Sequence, residues 1–291
     1  MEIIVKESRD VSRVIELFDK HRGMPFTYLM NIPLVMMLSQ LEKFKMFIAE
    51  ANGEVIGCIY SLDYIYDSGY VGGLLVHKDF RNMGIGSRLL KTTLSHIDSR
   101  YVYLLVMEEN NLALRLFEKS GFRRAYKRLY YIVSQPFDNF YENDKVTYDV
   151  EWHDLKKAVG FSERKGVINF GYYPVKMTEK VFEDLKRKSK VLKYGSVLAI
   201  IEELQELIIE DKLYTFNDYI FRKLSGVKAS KKVIEVNPFY TRLNPLDLTS
   251  LLNYLLTFGE VHIRTYDGDA VASKLPLKGN IGALTMEYEK T

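Results

Sequence analysis

The segment Leu74-Leu75-Val76-His77-Lys78-Asp79-Phe80-Arg81-Asn82-Met83-Gly84-Ile85-Gly86-Ser87-Arg88-Leu89-Leu90 constrains this chain more than any other. An apolar extended run leads into a polar loop, then two glycines two apart, then an amphipathic stretch. Leu90, Leu94 and Ile97 fall on one face of a helix expected over 85–97. Gly84 and Gly86 leave the backbone bare where that helix begins. The first N–H groups of a helix lack intrahelical acceptors and lie at the positive end of its dipole, so such a terminus holds anions. Arg81 adds a full charge at its mouth. A dinucleotide fingerprint would need a third glycine where Leu89 stands, and a P-loop would need Gly-Lys-Ser/Thr, which is absent. A pyrophosphate cradle and a turn that uses glycine for geometry alone both remain open at this point.

Around this segment the chain alternates strand and helix signals. Strands are expected at 1–5, 46–50, 54–62, 70–76, 101–107 and 122–134. Helices are expected at 11–20, 33–41 and 110–120, the last stopped by Gly121. Asn52-Gly53 joins the second and third strands as a hairpin. Gly72 and Gly73 interrupt the strand before the glycine loop, marking a bulge or a close approach by a ligand. A polar stretch from Gln135 to Lys145 reads as a linker, which places a domain boundary near residue 140. The chain has 291 residues, enough for two domains with a core each.

Several functions are disfavoured by composition. Basic and acidic residues number 41 and 38, a net charge of +3 that gives no electrostatic case for a nucleic-acid binder. No apolar run approaches the roughly 18 residues of a membrane helix, and the N-terminus has no signal-peptide pattern. The single cysteine, Cys58, excludes an internal disulfide and fits a reducing, cytoplasmic setting. The five histidines are scattered without ligand spacing, so no metal is expected.

Two motifs decide between the readings of the glycine loop. Arg81-Asn82-Met83-Gly84-Ile85-Gly86 resembles the Arg/Gln-x-x-Gly-x-Gly/Ala signature of the GNAT superfamily of N-acetyltransferases. Asn110 to Phe122 resembles its second signature, Asn-x-x-Ala-x-x-Leu-Tyr-x-x-x-Gly-Phe. The resemblance covers about residues 1–134. It implies an α/β (α+β) fold, a mixed, mostly antiparallel sheet flanked by helices, and acetyl-CoA as cosubstrate. Carried over by position, the backbone of Arg81, Asn82, Met83, Gly84, Ile85, Gly86 and Ser87 cradles the pyrophosphate. The backbone of Leu74, Leu75 and Val76 pairs with the pantetheine arm and polarises the thioester carbonyl. Asn110 lies near the pantetheine end, and Phe117 lines the wall by the sulfur.

The same resemblance exposes two departures. The family's general acid is commonly a tyrosine in the second signature, where this chain has Phe117. A glutamate common in members acting on protein N-termini is replaced by Leu105. Asp63, Asp67 and Glu109 are substitute bases, and Tyr60, Tyr64, Tyr66 and Tyr103 substitute acids. Asp63, Glu109 and Tyr103 are the catalytic candidates carried forward.

In the second half, helices are expected over 178–189 and 245–256, and strands over 233–236, 261–266 and 283–288. Residues 196–211 read as either a helix or a strand pair broken near Leu204-Gln205, with the strand pair favoured. The order from 232 to 267 mirrors strand, loop, helix, strand in the first half, but Asn244-Pro245-Leu246 replaces the glycines. Residues 141–291 are therefore expected to form a second α/β domain, either a degenerate GNAT-like repeat without CoA binding or an unrelated fold. The expected activity is transfer of acetyl from acetyl-CoA to a primary amine on a small molecule or peptide. The rival is a CoA-binding sensor without turnover.

Overall fold

The structure is a computed structural model and describes residues 2–21, 32–139, 145–171, 173–209, 212–224, 227–277 and 280–290. It divides into two compact units. The first holds Met1–Arg124, Arg222–Val227 and Met286–Thr291; the second holds Ala125–Phe221 and Lys228–Thr285. The expected boundary near residue 140 thus falls at Arg124/Ala125. The C-terminal residues, expected in the second domain, return to the first unit.

The first unit carries β1 (Ile3–Glu7), α1 (Ile15–Asp19), α2 (Ile32–Leu38), β2 (Phe44–Ala51), β3 (Glu54–Asp63), β4 (Ser68–Val76), α3 (Ile85–Ser95), β5 (Tyr101–Val106) and α4 (Asn111–Lys119). Its strands run in the order β1-β2-β3-β4-β5, antiparallel except for the parallel β4/β5 pair. The helix expected over 11–20 is instead a 3-10 turn at Val11–Val14 followed by the short α1. Gly57 lets α3 lie close on β3: a Cβ there would sit 3.1 Å from Leu89 and 3.4 Å from Ile85. Glycine in a strand is otherwise unfavourable, so this position is explained by helix–sheet approach.

The second unit carries β6 (Arg123–Val133, from Ala125), α5 (Trp152–Lys157), β7 (Val167–Phe170), β8 (Tyr173–Lys176), α6 (Glu179–Arg187), β9 (Val191–Tyr194), β10 (Val197–Ile209), β11 (Lys212–Asn217), α7 (Asp218–Phe221), β12 (Lys231–Tyr240), α8 (Pro245–Leu256) and β13 (Val261–Tyr266). Its strand order is β6-β13-β12-β10-β11, with β9 on β10 and a separate β7/β8 hairpin. The last strand, β14 (Asn280–Glu289), ends in the first unit, where it lies beside β5. Leu248, Leu251, Leu252 and Leu255 of α8 pack on Val236, Val261 and Ile263.

Two expectations are corrected here. Residues 197–209 form one strand, not a broken pair, because the polar residues in it are satisfied by neighbours. Glu202 takes the Lys190 ammonium at 2.5 Å, and Glu206 accepts from Ser230 Oγ at 3.0 Å. Likewise β12 continues to Tyr240 through Asn237-Pro238, expected to be loop, since β10 pairs with it all the way from Glu206/Lys231 to Val197/Tyr240.

Cys58 is a core residue, with its thiol pushed up to about 12 by burial. A buried, protonated thiol is a poor nucleophile. The native protein is expected to leave Cys58 unlabelled by an aromatic disulfide reagent at pH 8. One thiol per chain should react once the chain is unfolded in guanidinium; rapid native labelling would contradict this packing.

Candidate active site

The site grows from the parting of two strands. β4 and β5 pair at Ser68/Tyr101, Gly69/Val102 and Tyr70/Tyr103, and among the described residues the pairing ends there. Beyond that point the β5-facing edge of 71–76 has no ladder with β5. On the other side the β3/β4 register shifts between Cys58/Leu75 and Tyr60/Gly72, which puts one extra residue on β4. Gly73 sits in this bulge at φ 64°, a left-handed conformation that favours glycine. Leu74 is half-buried and Leu75 buried against β3, so what this segment offers an extended ligand is backbone.

Past Val76 the chain makes a short 3-10 turn and then the glycine loop. Asn82 (φ 62°) and Gly84 (φ 75°) are both left-handed, and Gly84 is the N-cap of α3 with no side-chain cap. Arg81, Asn82, Met83, Gly84 and Ser87 are exposed, Ile85 is buried and Gly86 half-buried. The first-turn N–H groups of α3 therefore face outward without a side chain to satisfy them. Arg81 Nε donates to Val76 O at 3.2 Å, tying the loop back to the end of β4. Gly86 serves packing: a Cβ there would lie 3.3 Å from Leu116 Cδ2 of α4. Buried His21 anchors the approach, with Nε2 accepting from Lys78 N–H at 3.2 Å and Nδ1 bonded to Leu17 O at 2.8 Å. Burial lowers its pKa, so the anchor is in place above the ordinary histidine range and is lost as pH falls through the lowered value. Nothing in the sequence spacing pointed to His21.

The remaining candidates fall in different places. Asn110 is the N-cap of α4, its Oδ1 accepting from Ala113 N–H at 3.2 Å. Phe117 is buried and packs edge-on against Phe122 at 5.9 Å. Asp63, a candidate base, is buried and committed elsewhere. It accepts from Asp98 N–H at 3.1 Å, Ser99 N–H at 3.0 Å and Ser99 Oγ at 2.5 Å, clamping the turn into β5. Glu109 is exposed just before α4. Tyr103 is wholly buried, and its hydroxyl donates to Glu287 Oε2 of β14 at 2.9 Å. Glu287 was not among the sequence candidates, because only the fold brings it beside β5.

A second parting of parallel strands lies in the second unit. β12, α8 and β13 form a strand–helix–strand crossover, and the parallel β12/β13 pairing ends at Val236/Ile263. Beyond it lies the guanidinium of Arg164, fully buried. It donates to Pro238 O of β12 at 2.5 Å, Arg264 O of β13 at 3.3 Å and Thr265 Oγ1 at 3.2 Å, and lies over the Phe239 ring at 4.5 Å. At the helix start, Asn244 Oδ1 accepts from Leu246 N–H at 3.2 Å, and Asp247 places a carboxylate in the first turn. That terminus is capped and negatively charged, the reverse of α3. Also in this unit, Glu206, Glu260 and His262 converge, a grouping the sequence spacing had not indicated. The Lys231 ammonium supplies a cation to it, 2.8 Å from Glu260.

Comparison with known proteins finds likenesses to the first part of the chain. The acetyltransferase (GNAT) family profile matches residues 15–122, and members of that family use acetyl-CoA. An N-alpha-acetyltransferase of Sulfurisphaera tokodaii is 29% identical over 112 residues, covering 33% of this chain and 67% of that protein. N-alpha-acetyltransferase 30 of Dictyostelium discoideum is 37% identical over 90 residues, covering 29% of this chain and 48% of that protein, about half its length. Among solved structures, the ribosomal-protein-S18-alanine N-acetyltransferase of Escherichia coli aligns with 17% identity and a TM-score of 0.38, over 47% of this chain and 86% of that one.

Two outcomes follow. Gly84→Val should weaken acetyl-CoA binding at least tenfold in calorimetry while costing only about 1–2 kcal/mol of stability, the strain of a side chain at positive φ, because no other atom lies within 4 Å of its Cβ. Asp63→Ala should do the opposite. It strands three donors and lowers stability by about 2–3 kcal/mol in urea unfolding, while acetyl-CoA affinity stays within about twofold.

Proposed function

We propose that the chain transfers the acetyl group of acetyl-CoA to a primary amine by direct attack, with the α-amine of a peptide N-terminus as the first acceptor class to test. One observation carries the reading: the uncapped, outward-facing α3 terminus lies at the end of a strand edge left open where β4 parts from β5. That pairing of features suits a ligand with a pyrophosphate joined to an extended amide-bearing arm. In this reading the backbone of Arg81–Ser87 holds the phosphates, and the backbone of Leu74–Val76 aligns the arm. The N–H groups at the bulge offset the negative charge that develops on the thioester oxygen. The names of the similar proteins support an α-amine acceptor.

Two further elements belong to this proposal. The second unit is a degenerate copy that binds no CoA, since Arg164 fills the equivalent strand gap and Asn244 caps the equivalent helix. A CoA-binding sensor without turnover is the second reading, favoured by the packing of Phe117 on Phe122 where the family commonly has a tyrosine.

Release of free thiol from acetyl-CoA, measured across peptides with free N-termini, lysine-bearing peptides blocked at the N-terminus, and polyamines, separates these readings. Amine-dependent turnover is expected, fastest with free N-termini. Tight acetyl-CoA binding with no thiol release from any amine would leave the sensor.

A further inference from the structure

The two positions that commonly supply acid and base in this family hold Phe117 and Leu105, so a proton acceptor for the incoming amine must come from elsewhere. Face parity on the sheet of the first unit narrows the search. Side chains alternate across a strand, and register partners share a face. Gly57 and Gly69 face α3, since a Cβ on either would meet Leu89 or Ile97. Tyr60, Leu62, Tyr70, Gly72 and Tyr103 therefore lie on the other face, through the pairs Tyr60/Gly72, Leu62/Tyr70 and Tyr70/Tyr103. Tyr60 reaches across this face to the bulge: a Cβ on Gly72 would lie 2.5 Å from its hydroxyl.

β14 extends this face with an acid. Tyr288 points the other way, its ring 5.4 Å from Phe122 and 3.2 Å from where a Cβ on Gly121 would be. Glu287, its neighbour, takes the face of Tyr103 and accepts that residue's hydroxyl hydrogen bond. Glu287 is half-buried, whereas Glu109 is exposed and Asp63 is fixed by three donors on the α3 side. Tyr103 is the last β5 residue paired with β4 before the strands part, and Glu287 meets its hydroxyl from the β14 side of β5.

We infer that Glu287, brought by the C-terminal strand and oriented by Tyr103, is the carboxylate that receives the acceptor's ammonium group and takes its proton. The inference rests on the acyltransferase reading above. The amine arrives as R–NH3+ and passes one proton to Glu287, directly or through a water. The nitrogen lone pair then forms the C–N bond to the thioester carbon. Collapse of the tetrahedral intermediate breaks the C–S bond, the thiolate leaves, and the second nitrogen proton ends on sulfur. Glu287 returns its proton to solvent. Tyr103 is a positioning residue, holding Oε2 through its hydroxyl.

The test uses the full chain, acetyl-CoA and short peptides with free N-termini. Glu287→Gln keeps the size and the acceptor for Tyr103. Its kcat should fall about 10²–10⁴-fold, the usual weight of general base catalysis, with acetyl-CoA affinity unchanged. The rise of kcat/KM with pH that reports the carboxylate should disappear in this variant, whereas a structural role would leave the profile's shape intact. Tyr103→Phe should lose less, about tenfold, and displace that limb rather than abolish it. Wild-type rate and pH profile in Glu287→Gln would overturn the assignment. A wild-type chain that binds acetyl-CoA yet acetylates none of the peptides would bring down the peptide-acceptor reading on which the inference rests. Absence of acetyl-CoA binding in the wild type would instead bring down the acyltransferase reading itself.

Discussion

The first unit depends on a ladder that stops. Three residue pairs join β4 to β5, and after Tyr70/Tyr103 the strands diverge. An open strand edge inside a sheet carries an energetic cost, because buried backbone groups need partners. The fold limits this cost by keeping β4 paired with β3 on both sides of the bulge at Gly73. The open edge of β4 leads along the chain to the bare end of α3. Packing, backbone strain and electrostatics converge on the same short stretch of chain.

The second unit supplies an internal comparison. The same strand–helix–strand order gives the same early end to parallel pairing, at Val236/Ile263. Here the exposed carbonyls are answered from within the chain, by a buried arginine reaching both strands. A guanidinium is well suited to this role because its donors are fixed in a plane and it stacks on aromatic rings. Where α3 begins on a left-handed glycine, α8 begins on Asn244-Pro245 with its first turn capped. The two crossovers thus differ at two points, the strand gap and the start of the helix.

Local chemistry was legible in the sequence, and long-range pairing was not. The glycine loop, the helix starting at Asn110 and the hairpin at Asn52-Gly53 are each fixed by residues a few positions apart. The identity of Asp63 as an acid was visible, but its commitment to Asp98 and Ser99 depends on where a turn 35 residues later comes to rest. Glu287 is 184 residues from Tyr103, and Arg164 is 74 from Pro238, so neither partner leaves a mark on local spacing. The single strand at 197–209 was not legible, since polar residues such as Glu202 and Glu206 lie within its apolar run. Their partners Lys190 and Ser230 come from other segments, and burial of a polar side chain follows from its partner rather than its own type.

Calorimetric titration of the full chain with acetyl-CoA tests the central claim most directly, because stoichiometry and affinity together separate the open unit from the sealed one. The account predicts a single micromolar site per chain, with no second event as the titrant is carried into excess. Two sites would contradict the sealing of the second unit by Arg164. No site at all would mean that the open edge of β4 and the bare end of α3 do not form a CoA cradle.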